Sequence, residues 1–188
     1  MRHLPNLITV IRIVLVVPVA VALWHRQLPL AISLFALAAA SDALDGYLAR
    51  HFHWRSELGG ILDPVADKLL LVTVFVTLGL ERLVPFWLVA AALVRDAVIV
   101  VGAAAYRFLI GRLTAAPSPV SKLNTLCQGL FILVVVARAA CGYPPAWAAI
   151  ALGALVLVTI VVSGLDYVLI YSRRAVRARR VALAAPTP

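Results

Sequence analysis

The chain has 188 residues, of which 64% are hydrophobic and 13% charged, and its mean hydropathy is +1.03. These values exclude an ordinary water-soluble domain and indicate a protein that uses the bilayer as its solvent. A net charge of +9 does not indicate nucleic acid, because the cations flank apolar segments instead of forming a soluble basic face. We therefore expect a single membrane domain over residues 1–188, with no nucleic-acid partner.

Apolar stretches recur along the whole chain with only short loops between them. A membrane-spanning helix needs about 20 mostly apolar residues. The pattern predicts helices at 5–24, 28–50, 58–80, 84–109, 120–141 and 145–172. The expected fold class is all-α, a polytopic membrane protein with six transmembrane helices.

Lysine and arginine are distributed unevenly between the predicted loops. Three lie on one side, Arg26, Arg82 and Arg138, and twelve lie on the other: Arg2, Arg12, Arg50, Arg55, Arg107, Arg112, Lys122, Arg173, Arg174, Arg177, Arg179 and Arg180. Because cationic loops stay in the cytosol, both termini and the 50–58 loop are expected to face it. The basic tail, residues 173–188, is expected either to contact anionic headgroups or only to fix the topology.

Four of the six aspartates fall within 26 positions, at the junction of the second and third predicted helices: Asp42, Asp45, Asp63 and Asp67. Residues three or four apart share one face of a helix, so the four form two acidic faces that can converge. Their mutual repulsion and desolvation require compensating cations. Oxygen ligands alone favour hard ions, so we predict bound Mg²⁺, with Mn²⁺ as a substitute.

Small residues and one arginine accompany these carboxylates. Gly46 follows Asp45 directly, and Gly59 precedes Asp63 by four residues. A missing side chain lets either a ligand or a neighbouring helix approach closely, and both interpretations stay open. Arg50 supplies a planar fork that suits phosphate oxygens or a carboxylate.

Residues 42–67 fit the pattern D-x2-D-G-x2-A-R-x8-G-x3-D-x3-D at every fixed position. This pattern resembles the signature of the CDP-alcohol phosphotransferase family, and eight fixed residues at fixed gaps make the match specific. The resemblance extends to Pro5-Asn6, Thr9 and Arg12, similar to the family's P-N-x-x-T-x-x-R start, and to the closing segment 162–167. It thus covers nearly the whole chain.

The resemblance implies a role for each position of the signature. All four aspartates would bind one or two metals over the diphosphate of a CDP-activated lipid, and Asp67 would also be the catalytic base. The CDP moiety would contact Asp45, Gly46, Ala49, Arg50 and Gly59. The reaction implied is transfer of a phosphatidyl group from CDP-diacylglycerol to an alcohol, with release of CMP. It also implies a homodimer in the bacterial inner membrane, with the active site facing the cytosol.

Basic residues outside the signature are candidates for binding the acceptor alcohol. Arg95 and Asp96 lie within the fourth predicted helix, where they either neutralise each other or serve an anionic acceptor. Arg107, Arg112 and Lys122 either bind an acceptor phosphate or only anchor the cytosolic side.

Residues 121–125 read S-K-L-N-T and resemble the S-K-x-N-T of eukaryote-like cardiolipin synthases, which favours phosphatidylglycerol as acceptor. The closing segment is equally similar to phosphatidylglycerophosphate synthases, so glycerol-3-phosphate is the alternative. A small transporter or cation channel is the alternative from another class, because intramembrane carboxylates also mark ion pathways. A conduction path would scatter its acids through the membrane depth, whereas four of them gather here at one interface.

Overall fold

Six helices make up the computed structural model, which describes residues 4–51, 59–109 and 118–184. They are α1 Leu4–Trp24, α2 Leu28–His51, α3 Gly59–Leu80, α4 Phe86–Leu109, α5 Pro119–Cys141 and α6 Ala146–Ala184. No strand occurs in these ranges, so the all-α prediction is confirmed.

Helix bounds agree with the predicted ones within two residues except at the end of α6. That helix was predicted to end at 172, where the apolar residues stop, but it continues to Ala184. Alanine and arginine are good helix formers, so the backbone stays helical after the hydrophobic stretch ends. The start of the basic tail is therefore a continuation of the last helix.

Among the residues that the structure describes, three helices are long and apolar enough to cross a membrane: Phe86–Phe108, Pro119–Cys141 and Ala146–Ser172. In the same part of the chain, α1 and α2 contribute the shorter apolar segments Val10–Trp24 and Leu28–Ser41. Large apolar side chains point outward on several helices, with Val14 63%, Val100 66% and Ile150 72% exposed. Such a surface suits lipid better than water. Six complete spans stay a prediction.

The helices pack around a shared apolar core. α1 contacts both α2 and α3, while α6 contacts both α4 and α5. Phe75 of α3 and Phe131 of α5 join the two groups, with ring centroids 6.0 Å apart. Gly102 lets α4 approach α6 closely, because a Cβ there would lie 2.9 Å from the ring of Tyr171.

Two tight turns lie together at one end of the bundle. Arg26 in the α1–α2 turn donates to Glu81 after α3, with Nε 3.0 Å from Oε2. Arg26 and Arg82 both adopt positive φ, at 54° and 57°, which the left-handed turn conformation requires. This contact places the α1–α2 and α3–α4 turns on the same side, as the predicted topology requires.

Local sequence explains where α5 begins and ends. Ser118 caps the first turn, and its side chain accepts a hydrogen bond from the Ser121 amide at 3.2 Å, followed by Pro119. Gly142 ends the helix in the left-handed conformation, and its amide donates to the Arg138 carbonyl at 2.8 Å. The cap fixes the first turn of α5, which carries Lys122.

Candidate active site

Asp67 and Arg12 form an ion pair between α3 and α1. Arg12 is almost fully buried, at 1% exposure, whereas the Asp67 side chain keeps 35% of its surface exposed. A guanidinium buried in an apolar bundle needs a carboxylate to offset its desolvation. The pair therefore holds the Asp67 carboxylate at the edge of the bundle, partly open to a ligand.

A cavity of about 470 Å³ adjoins this pair. α1, α2, α3 and α5 line it with Arg12, Phe35, Ala38, Ala39, Asp67, Leu70, Leu71, Lys122, Thr125, Leu126, Gly129, Leu130 and Leu133. Leu126 is 60% exposed, so the cavity opens laterally between helices. Its chemistry combines three charged side chains with a mostly apolar wall.

The charged and apolar parts of the cavity follow the helix registers. On α5 the lining begins at Lys122, near the amino end, and runs to Leu133, about 16 Å further along the axis. On α3 the lining begins at Asp67 and continues toward the carboxyl end with Leu70 and Leu71. The arrangement can therefore bring a charged headgroup to Asp67 and Lys122 and hold an acyl chain beside the apolar wall.

The helix backbones place the other predicted metal ligands near the same region. Asp42 and Asp45 lie three residues apart in the carboxyl-terminal half of α2, and Asp42 follows the lining residues Ala38 and Ala39 by about one turn. Asp63 lies one turn before Asp67 on α3. Of these four carboxylates only that of Asp67 is described.

The described side chains contain no cluster of three or more metal-ligating residues. The side chains of Asp42, Asp45 and Asp63 lie outside that description, so the predicted ligand set remains a prediction. Oxygen donors at these positions fit a hard divalent ion. Divalent metal is general in proteins with this signature, and neither Mg²⁺ nor Mn²⁺ is singled out here.

The predicted CDP-binding residues occupy the carboxyl end of α2 and the first residue of α3. Asp45, Gly46, Ala49 and Arg50 fall on the last two turns of α2, and Gly59 is the first residue of α3. The spacing of one, four and five residues after Asp45 keeps the α2 set on one side of the helix. Their side chains lie outside the described residues, and their contacts with CDP stay predictions.

The candidate acceptor residues are separated by the fold. Lys122 is exposed and lines the cavity with Asp67. Arg107 is exposed in the last turn of α4 and is not among the described residues that line the cavity. Arg112 lies outside the described residues. Arg95 is only 6% exposed and is buried among three helices.

A buried polar network surrounds Arg95. Its Nη1 lies 2.9 Å from Asp96 Oδ1, its Nη2 lies 2.7 Å from Ser121 Oγ, and it also donates to Ser163. Asp96 additionally pairs with Lys68. Arg95 and Asp96 therefore form an ion pair, as mutual neutralisation of their charges requires. The role of Arg95 in binding the acceptor stays a prediction.

Two functional candidates were not assigned from the sequence. Arg12 was used for the amino-terminal resemblance and for the charge count of the cytosolic side, and not for the site, although a cation inside an apolar helix is itself a signal for a buried partner. Lys68, directly after Asp67, was not assigned because its partner Asp96 lies 28 positions away. Only the packing of α3 against α4 brings the two charges together.

Comparison with known proteins agrees with the site chemistry. A model of the CDP-alcohol phosphatidyltransferase family matches residues 2–163. The chain is 45% identical over 84 residues to "CDP-diacylglycerol–glycerol-3-phosphate 3-phosphatidyltransferase" of Pseudomonas fluorescens, covering 43% of each chain. It is 29% identical over 177 residues to "Probable phosphatidylglycerophosphate synthase" of Mycobacterium tuberculosis, covering 88% of this chain and 80% of that one.

A human relative with a different name is similar over a somewhat shorter length. "Cardiolipin synthase (CMP-forming)" of Homo sapiens is 33% identical over 153 residues, covering 73% of this chain and 50% of that one. The matched segments therefore span half or less of the Pseudomonas and human proteins. Because the family model covers most of the chain, this protein belongs to the CDP-alcohol phosphatidyltransferase family, a family of phospholipid-biosynthetic transferases.

Proposed function

We propose that this protein transfers the phosphatidyl group of CDP-diacylglycerol to a hydroxyl of phosphatidylglycerol, forming cardiolipin and releasing CMP. The observation that carries the proposal is the cavity in which Asp67 and Lys122 share one lining with an apolar wall. A cation and a carboxylate suit a phosphate-bearing alcohol, and the lateral opening suits acyl chains. Glycerol-3-phosphate is the second candidate acceptor.

In the proposed reaction, Asp67 accepts the proton of the attacking hydroxyl. The hydroxyl oxygen forms a bond to the β-phosphorus of CDP-diacylglycerol in line with the leaving group. The bond between that phosphorus and the bridging oxygen breaks, and CMP leaves with the electron pair. Arg12 holds the Asp67 carboxylate in place through their ion pair.

We propose Asp42, Asp45, Asp63 and Asp67 as the residues that hold divalent metal, Mg²⁺ first and Mn²⁺ as a substitute. When bound, the metal supplies neutralisation of the diphosphate charge. Asp45, Gly46, Ala49, Arg50 and Gly59 are proposed to contact the CDP moiety. The support is their helical register beside the cavity, together with the complete match to the signature.

For the acceptor phosphate we propose Lys122 as the main contact, because it lines the cavity with Asp67. Arg95, Arg107 and Arg112 are the remaining candidates. After Lys122, the same face of α5 continues with Leu126, Leu130 and Leu133. The apolar wall directly beyond the cation suits the acyl chains of phosphatidylglycerol and of CDP-diacylglycerol alike, and the S-K-L-N-T resemblance at residues 121–125 favours phosphatidylglycerol over glycerol-3-phosphate.

The proposed assembly is a homodimer of six-span subunits in the bacterial inner membrane, with both termini and the active site facing the cytosol. The excess of cations at one side supports this orientation. The shared position of the α1–α2 and α3–α4 turns supports the alternating path of the helices. The dimer rests on the family resemblance.

The acceptor is identified by offering purified protein CDP-diacylglycerol and Mg²⁺ with either phosphatidylglycerol or glycerol-3-phosphate. We expect CMP and cardiolipin with phosphatidylglycerol only, and no CMP after chelation until Mg²⁺ or Mn²⁺ is restored. Mass spectrometry of the lipid product checks the result. Formation of phosphatidylglycerophosphate would identify glycerol-3-phosphate as the acceptor in place of phosphatidylglycerol. Absence of CMP release with every acceptor would reject the proposed transfer.

Replacing Lys122 tests the proposed acceptor contact. In Lys122→Ala we expect the KM for the acceptor to rise about 10- to 100-fold, because one charge-assisted contact of roughly 1.5–3 kcal/mol is lost. The KM for CDP-diacylglycerol should change little. Arg107→Ala is the matched comparison, since that cation is also exposed but does not line the cavity. An equal rise in both variants would contradict the special position of Lys122.

A further inference from the structure

Two charged residues of the cavity, Asp67 on α3 and Lys122 on α5, are connected through their neighbours in sequence. Lys68 follows Asp67 on α3, and Ser121 precedes Lys122 on α5. Neither Lys68 nor Ser121 is among the described residues that line the cavity. Both instead contact an adjacent pair of residues on α4, Arg95 and Asp96.

The contacts form one continuous chain across three helices. Lys68 pairs with Oδ2 of Asp96, and Oδ1 of Asp96 lies 2.9 Å from Nη1 of Arg95. Nη2 of Arg95 donates to Ser121 Oγ at 2.7 Å and also to Ser163. We call this chain, Lys68–Asp96–Arg95–Ser121, the α4 bridge. Through Ser163 it also contacts α6.

The charge balance makes Asp96 the central residue of the α4 bridge. Its side chain is 12% exposed and pairs with two cations, one on α3 and one on α4. Loss of its charge would leave Lys68 and the buried Arg95 close together with no carboxylate between them, and these like charges repel although the Lys68 side chain is 37% exposed. Separation of α3 from α4 and α5 would relieve that repulsion.

We propose that Asp96, Lys68 and Arg95 are positioning residues that set the spacing between Asp67 and Lys122, and thereby align the acceptor hydroxyl with the catalytic base. This inference rests on the proposed roles of Asp67 and Lys122. The α4 bridge does not touch the reacting atoms. The α4 bridge holds the α3 turn that carries Asp67 at a fixed position relative to the first turn of α5. That first turn carries Lys122.

The structure supplies a matched control for Asp96. Glu81 also accepts an ion pair from an arginine on another segment, with Arg26 Nε 3.0 Å from Oε2. Its side chain is 17% exposed, close to the 12% of Asp96. Glu81 lies at the opposite end of α3 from Asp67, and it is not among the described cavity residues. Glu81→Gln therefore removes an acid of similar burial, paired with the 69% exposed Arg26, without disturbing the proposed site.

Steady-state kinetics on Asp96→Asn and Glu81→Gln separates positioning from general stability. A shifted α5 turn should raise the acceptor KM of Asp96→Asn and lower its kcat/KM about 10- to 100-fold, since small misplacements of a reactant are costly. The KM for CDP-diacylglycerol should stay within about twofold, because the donor site is left in place. A smaller folded fraction would lower kcat and leave both KM values unchanged. Lys68→Met should raise the acceptor KM in the same way, whereas Lys68→Arg should keep the acceptor KM close to the wild-type value.

Spin labels provide a readout that does not depend on activity. Leu69 and Leu123 are 46% and 50% exposed and lie next to Lys68 and Lys122. Cysteines at these positions, in a background with Cys127→Ala and Cys141→Ala, report the α3–α5 distance by double electron–electron resonance. Asp96→Asn should broaden or lengthen the distance distribution, whereas Glu81→Gln should not.

Failure of the positioning role and failure of the proposed function give different results in these experiments. Unchanged acceptor KM and unchanged α3–α5 distances in Asp96→Asn would overturn the positioning role. If Asp96→Asn does not fold, Lys68→Met takes its place in both measurements and is judged by the same criteria. Absence of CMP release by the wild-type protein would reject the proposed function instead, and the spin-label comparison would still decide whether the α4 bridge sets the spacing.

Discussion

Asp67→Asn is expected to abolish phosphatidyl transfer while leaving the protein folded. The substitution removes the proposed base, worth about 10²- to 10⁴-fold in rate, and one proposed ligand of the metal. The asparagine amide keeps an oxygen that can accept a hydrogen bond from Arg12, so the α1–α3 contact is kept, while loss of the carboxylate charge beside the buried guanidinium lowers the unfolding temperature. CMP release and thermal unfolding in detergent measure the two effects separately.

The control for Asp67→Asn is Glu81→Gln, which removes an acid just after the carboxyl end of the same helix, whereas Asp67 lies near its amino end. Glu81→Gln should keep wild-type turnover. If Asp67→Asn retained turnover, the assignment of Asp67 as base would be wrong. If it unfolded, its carboxylate would be needed mainly to compensate the buried Arg12.

Arg12→Met is expected to impair both stability and activity. Arg12 is 1% exposed and pairs with Asp67, so its loss leaves a carboxylate beside an apolar cavity without that cation. Breaking a fully buried pair costs about 3–5 kcal/mol, and the 35% exposure of Asp67 reduces the expected cost to about 2 kcal/mol. We also expect turnover to fall about 100-fold, because the base is no longer held in place.

Combining two substitutions tests whether loss of the Arg12–Asp67 ion pair causes the lower stability of Arg12→Met. Arg12→Met combined with Asp67→Asn should be less destabilised than the sum of the single variants, because the second change removes the stranded charge. Arg12→Lys should regain part of the activity, since the charge is kept while the planar fork is lost. Additive changes in unfolding temperature would show that Arg12 contributes through packing alone.

The sequence indicated Asp67 much more strongly than Arg12. The aspartate signature identified Asp67 directly, because it combines chemistry with fixed spacing inside two neighbouring helices. Arg12 lies 55 positions earlier and gave only the signal of a cation in an apolar helix. Its partner became evident from the packing of α1 against α3.

The sequence determined the helices and the general chemistry of this protein. Hydropathy decides where apolar helices form, so five of the six helices were predicted closely at both ends, and the carboxylates at three- and four-residue spacing indicated the family. The end of α6 was wrong because hydropathy marks where apolar residues stop, whereas the helical backbone continues through alanine and arginine.

Only the tertiary structure decided which charges meet. Lys122 joins Asp67 in one cavity, Arg107 does not line it, and Asp96 links Lys68 to Arg95 across three helices. Helical periodicity determines which face a residue occupies, but it contains no information about which distant helix covers that face. Side-chain packing and the cost of burying an uncompensated charge decide that pairing, and both depend on the assembled bundle.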